Sequence, residues 1–123
     1  MDDAQVRDAL ASERAAIAAR IAALSRDLEQ VISAARDANV DDEHDPEGAT
    51  IAYEREQLHG LLNHAREQLD DVDHALARVA AGTYPFCEKC SAPIATERLT
   101  ARPTARSCIR CASDPLSWRR SGV

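Results

Sequence analysis

The stretch from Cys87 to Cys111, CEKCSAPIATERLTARPTARSCIRC, holds all four cysteines of the chain as two CxxC pairs, Cys87/Cys90 and Cys108/Cys111. A thiolate pair two residues apart can chelate one metal ion from a tight turn. A second pair, brought back by the 17 residues between Cys90 and Cys108, completes a tetrahedron of the kind that suits zinc. The expectation is one structural Zn²⁺ held by Cys87, Cys90, Cys108 and Cys111. Disulfides would need an oxidising compartment. Residues Met1 to Leu10 carry three aspartates and one arginine and lead into no apolar segment of the signal-peptide type. With no run of about 18 apolar residues either, the chain is read as staying in the reducing cytoplasm, away from membranes, where paired thiolates hold metal.

Outward from the cysteines, composition limits the body that carries them. The 123 residues include one Trp, one Phe and two Tyr, and alanine swells the hydrophobic total, so a large globular core is excluded. Helix packing and metal have to replace it. Charge is divided unevenly: residues 1 to 50 carry 12 acidic and 5 basic side chains, residues 51 to 83 carry 6 and 3, and residues 84 to 123 carry 3 and 7. An acidic arm is thus joined to a formally basic finger, whose +4 falls to +2 once four bound thiolates and one zinc ion are counted, too little for a strong field. Sequence-independent binding to a nucleic-acid backbone by the whole molecule is disfavoured.

Within the arm, Leu10, Arg14, Ile17, Ile21, Leu24, Leu28, Val31 and Ala35 recur at alternating steps of four and three, a heptad seam weakened at Arg14. A second seam runs through Ile51, Arg55, Leu58, Leu62, Ala65, Leu69, Val72, Leu76 and Val79. Two such helices joined by a short polar linker predict an antiparallel coiled-coil hairpin. Asp45 is the expected N-cap of the second helix, Pro46 its first residue, and Gly82 its left-handed C-cap after Ala81. The fold class expected is mainly α. A hairpin spans residues 1–81 with an acidic tip at 39–48, and a small four-cysteine zinc-finger module with a short C-terminal helix spans residues 82–123.

At that tip, Asp41, Asp42, Glu43, Asp45 and Glu47 place five carboxylates within seven residues. Self-repulsion keeps them in water, which a plain soluble turn would also require. A functional reading makes them a probe for something positively charged or metal-bearing. An exposed turn gives no pocket in which to tune carboxylate pKa values, so an enzyme is not expected. His44 in the turn and His59, His64 and His74 along the second helix lack the i,i+4 pairing of a catalytic zinc site.

The span from Gly82 to Cys111 resembles the DksA/TraR-type zinc-finger family. Both CxxC pairs agree, as do Ile94, Arg98, Leu99, Ala101, Pro103 and Ala105 between them and Gly82-Thr83-Tyr84 before them. The resemblance implies a coiled-coil hairpin on a zinc module, and a bacterial transcription regulator. Such a regulator binds RNA polymerase, core or holoenzyme, through the secondary channel with the acidic tip directed toward the catalytic centre. The tip departs from the pattern of the family's longer members, D-x-x-D followed by Arg-Ala. Asp45 falls on the first aspartate, but Gly48 replaces the second and Ala49 the arginine. Pro85 and Ser91 stand where glycine is common around the first cysteine pair.

Arg98, Arg102, Arg106 and Arg110 recur every four residues, although Pro103 interrupts any single helix through them. They serve either as partners of hairpin carboxylates or, with Arg98 and Arg102 foremost, as contacts to an acidic partner. No glycine-rich phosphate loop accompanies them. Trp118, with Arg119 and Arg120, is read as a cap on the module. Against the polymerase regulator stands a non-enzymatic coiled-coil interaction protein with a non-polymerase partner or a second copy of itself, since the alanine-rich seam leaves apolar area for self-association. A direct DNA-binding zinc protein ranks behind both, and sequence-specific DNA binding is not expected.

Overall fold

Asp2 and Gln5 start the first helix. The Asp2 carboxylate accepts from the Gln5 backbone N–H at 2.8 Å, and the Gln5 side-chain oxygen accepts from the Asp2 N–H at 3.1 Å, so two N–H groups that the helix leaves without a partner are satisfied reciprocally. Helix α1 then runs Asp3–Ala38, α2 Pro46–Ala81, and two short helices follow, α3 Thr96–Ala101 and α4 Ile109–Ser113. The computed structural model describes residues 2–38 and 46–113. Among them no strand forms, and the one β-bridge pairs Phe86 with Pro93.

Helices α1 and α2 form the antiparallel coiled-coil hairpin that the seams predict. Moving along α1 from Arg14 to Arg20 carries the hydrogen-bonding partner backwards along α2, from Asp73 to Gln68. The chain divides into two compact units, Ala15–Leu69 and Met1–Arg14 with Asp70–Val123. In the first, Ile17, Leu62 and Ala65 are buried and Ile21, Leu24, Leu28, Leu58 and Leu69 are half-buried, which are seam positions of both helices. In the second, Val6, Leu10, Val72 and Ala75 come from the helices, and Tyr84, Ile94, Leu99 and Ala105 from the finger.

Arg14, the weak point of the first seam, is exposed rather than buried. Its Nε donates to Asp73 Oδ1 at 2.6 Å and its Nη2 to Oδ2 at 3.4 Å, and this hydrogen bond with the attendant charge holds the guanidinium pKa above its usual value. A polar fork thus bridges the two helices where an apolar seam residue is missing. Arg55, the corresponding break in α2, is exposed.

Gly60 sits in the interior of α2, and a Cβ added there would meet nothing within 4 Å. Its flexibility serves no packing need, so Gly60→Ala is expected to raise stability by about 1 kcal/mol, read as a higher denaturation midpoint with unchanged helicity.

Candidate metal centre

The metal site begins at the end of α2. Gly82 adopts φ +76, its N–H donates to Val79 O at 3.2 Å, and the Thr83 N–H reaches back to Arg78 O at 2.9 Å. These two bonds are the Schellman pattern, and they turn the chain sharply out of the helix into the finger.

Arg78, one turn earlier, is 7% exposed and is the buried charged residue among those described. Its Nη2 donates to the backbone carbonyls of Thr83 at 3.1 Å, Tyr84 at 3.2 Å and Phe86, while its Nη1 donates to Ala105 O at 3.3 Å. Its Nε lies 3.4 Å from Glu88 Oε1, which is also hydrogen-bonded to His74 Nε2. One guanidinium on α2 therefore fixes the approach to the first cysteine and the return toward the second pair. Arg106 adds an outer tie, with Nη2 at 2.9 Å from Asp71 Oδ1. The Tyr84 hydroxyl donates to Pro103 O at 2.6 Å, and burial holds its pKa above the usual value.

Around Cys87 the backbone folds into a knuckle. Cys87 N–H donates to Ala92 O at 2.8 Å, Ser91 N–H to Cys87 O at 2.9 Å, Ile94 N–H to Pro85 O at 2.8 Å, and Lys89 N–H to the Cys87 sulfur at 3.4 Å. Ser91 closes the turn at φ +64, the left-handed region where glycine would be unstrained. The second pair is set by α4: Ala112 N–H donates to Cys108 O at 2.9 Å, which puts Cys108 at the helix start and Cys111 within its first turn.

All four Sγ atoms lie within 4.8 Å of one another, and Cys90 Sγ is 3.7 Å from Cys108 Sγ. That spacing is far too long for a disulfide and close to the edge, about 3.8 Å, of a tetrahedron with zinc–sulfur bonds of about 2.3 Å. Burial pushes the Cys87 thiol up, but backbone N–H donors around the site prevail and bring it down to about 6. The backbone N–H of Cys111 lowers Cys108. Desolvation and the neighbouring sulfurs push Cys111 up to about 12. Four sulfurs this close cannot all shed their protons unless a cation compensates them. The donor set fits one structural Zn²⁺ bound by four thiolates.

Arg98 donates from Nε to Ser107 O at 2.9 Å and so braces the segment leading to Cys108. Arg102 is exposed and its side chain forms no hydrogen bond or ion pair among the described residues. His59 and His64 are exposed. Asp41, Asp42, Glu43, His44 and Asp45 lie outside the described residues, as do Trp118, Arg119 and Arg120, and Glu47 falls in the first turn of α2. Sequence reasoning placed the four cysteines and missed Arg78. The signal for it was its position in the last turn of α2, four residues before Gly82 and off the predicted seam.

Arg78→Ala would leave the carbonyls of Thr83, Tyr84, Phe86 and Ala105 short of a donor, and should cost about 3 kcal/mol in chemical denaturation. Arg78→Lys, which cannot fork, should recover only part of the loss. Cys108→Ser should abolish stoichiometric zinc and the cooperative melting of the finger; a variant with full zinc content and native melting would refute the four-thiolate site. Zinc must displace the Cys111 proton throughout the neutral range, and below about pH 6 the Cys87 proton as well. Apparent zinc affinity is therefore expected to fall as pH falls, and more steeply below that point, in a chelator competition series.

Comparison with known proteins agrees with this geometry. A family model described as prokaryotic dksA/traR C4-type zinc finger matches residues 82–115. The Bacillus subtilis protein YteA is 42% identical over 75 residues, which cover 61% of this chain and 31% of that protein. The RNA polymerase-binding transcription factor DksA of Caulobacter vibrioides is 48% identical over 40 residues, 32% of this chain and 28% of that protein. The matched segments thus span less than half the length of these curated relatives. The structure of transcription factor DksA2 from Pseudomonas aeruginosa superposes with a TM-score of 0.79 at 28% identity, covering 96% of this chain and 85% of that one. Residues 82–115 are accordingly a zinc finger of the DksA/TraR C4 type, carried on a helical hairpin of the kind found in DksA2.

Proposed function

We propose that this chain is a DksA-type transcription regulator that binds RNA polymerase, with the hairpin entering the secondary channel and the carboxylates of residues 39–48 directed toward the catalytic centre. The observation that carries the reading is the superposition on DksA2 through 96% of the chain, hairpin included, combined with the matching finger. A likeness limited to residues 82–115 would have supported a zinc module alone.

Physical chemistry gives each part a task. The tip, with Asp41, Asp42, Glu43, Asp45 and Glu47 in a row, is suited to a site rich in basic groups or magnesium, where solvated carboxylates gain charge-assisted partners. The finger is held to α2 by Arg78 and by the Arg106–Asp71 pair, and would seat the hairpin at the polymerase surface. Of the two arginines singled out on the finger, Arg102 has its guanidinium free for an acidic partner, whereas Arg98 is engaged with Ser107 O. Gly48 in place of a second aspartate separates binding from effect in this proposal: the hairpin can occupy the channel while altering initiation less than a tip with both aspartates.

The test is competition between the zinc-loaded protein and an established secondary-channel ligand for core RNA polymerase, followed by transcription assays. Mutually exclusive binding is expected. Joint Asp41→Asn, Asp42→Asn, Glu43→Gln and Asp45→Ala changes should leave zinc content and helicity intact, weaken binding by less than about tenfold, a loss under about 1.4 kcal/mol, and remove the effect on initiation. An unchanged transcriptional effect, or simultaneous binding of both ligands, would sink the channel reading.

A further inference from the structure

One face of α2 reaches both cysteine pairs without supplying a ligand to either. Asp71, His74 and Arg78 are spaced by three and four positions, so they project from the same side of the helix. His74 Nε2 donates to Glu88 Oε1, and Arg78 Nε lies 3.4 Å from the same oxygen. Glu88 is the residue after Cys87. Asp71 Oδ1 accepts from Arg106 Nη2 at 2.9 Å, and Arg106 stands two residues before Cys108. The Glu88 backbone N–H donates to Arg106 O at 2.8 Å and so closes a ring that runs from helix to first knuckle to second pair and back to helix. Asp71, His74, Glu88 and Arg106 are half-buried side chains, 35–50% exposed, within reach of water. All of them belong to the compact unit that contains the base of the hairpin and the finger.

We propose that this ring gates the release of zinc: the thiolates give up the metal through a local opening in which the Asp71/His74/Arg78 face lets go of the two pairs, and metal binding in turn holds the last turns of α2 closed. A tetrahedral site needs Cys87/Cys90 and Cys108/Cys111 brought together across 17 intervening residues, and the ring fixes that approach. Parting of the pairs withdraws two sulfurs at once, whereas one sulfur that lets go in an intact finger is held beside the other three and rebinds. Arg78 carries the opening into the helix: once Glu88 and the finger's carbonyls move away, a buried guanidinium loses its partners and the end of α2 cannot stay packed. The coupling is reciprocal, because a free energy shared between two sites acts on both. A partner that grips the base of the hairpin would lengthen zinc retention without touching a cysteine. Charge alone predicts the opposite sign at Asp71. Four thiolates and one Zn²⁺ sum to a formal charge of about −2, so deleting a carboxylate should favour the loaded site, whereas losing a tie should disfavour it.

The test follows zinc transfer from the full-length protein, loaded with one zinc per chain, to excess 4-(2-pyridylazo)resorcinol. Asp71→Asn and His74→Ala should each speed transfer about two- to fivefold, the scale expected of half-exposed pairs. Asp71→Glu should restore most of the native rate. Asp70→Asn, the same charge change one residue outside the ring, should leave transfer unchanged or slow it. Amide hydrogen exchange over residues 71–81 should quicken when zinc is stripped, while residues 51–65 keep their protection. Slower transfer in Asp71→Asn, or equal acceleration in Asp70→Asn, overturns the proposal, since charge and not the tie would then set the rate. Native rates in both Asp71→Asn and His74→Ala overturn it as well, as does exchange over 71–81 that is indifferent to the metal.

Discussion

The finger depends on one buried cation. Arg78 sits in the last turn of α2, where a positive charge is favoured by the exposed carbonyls of the helix end. An ammonium in its place would offer three donors without fixed geometry; the guanidinium offers five in a plane. The two Nη2 hydrogens are shared among the carbonyls of Thr83, Tyr84 and Phe86, Nη1 donates to Ala105 O, and Nε faces the Glu88 carboxylate. Four of those five partners are backbone, so Arg78 specifies the path of the chain more than the identity of its side chains. Desolvating a charge is costly unless every donor is met, and a chain path that displaced these carbonyls would leave the cation uncompensated.

Metal and arginine act on the same few residues from opposite sides. Glu88 lies between Cys87 and Lys89, so the carboxylate that answers Arg78 and His74 belongs to the knuckle that supplies the first pair of thiolates. Its backbone N–H donates to Arg106 O at 2.8 Å, and Arg106 in turn pairs with Asp71 of α2. A finger with a modest apolar core is thereby held by two kinds of cross-link: sulfur to metal within it, and carbonyl or carboxylate to arginine between it and the helix from which it grows. Neither requires a large buried area, which suits a chain with one Phe and one Trp.

The elements legible in the sequence were those written as spacing. Seam positions such as Leu10, Ile17, Leu62, Ala65 and Val72 are buried because a 4-3 repeat maps onto one helix face, and Gly82 ends α2 because the left-handed turn there favours a residue without a Cβ. The cysteines were legible because their chemistry admits few alternatives. Arg78 was not, since a lone arginine in a helix is ordinarily solvated and its partners are carbonyls, which no sequence motif records. Arg14 was legible only as a defect in the seam; its pairing with Asp73, 59 residues away, needed the register of the hairpin. The Asp2/Gln5 box escaped notice because Gln at the third position is a weak signal beside three aspartates.

The Arg78 hub also says where this architecture can be cut. Sequence punctuation at Gly82 suggests a joint between helix and finger, yet the groups that hold the finger lie upstream of it: Arg78 on its carbonyls, His74 on the Glu88 carboxylate and Asp71 on the Arg106 guanidinium, with Val72 and Ala75 buried in the same packed unit as Tyr84. A graft beginning at Gly82 would carry the metal ligands and abandon the scaffold that orients them. The unit that travels whole starts near Asp70 and brings the opening turns of α1 with it. Lineages that exchange or lengthen their hairpins would therefore be expected to splice within the helices, conserving the base of the coiled coil as part of the finger's inheritance.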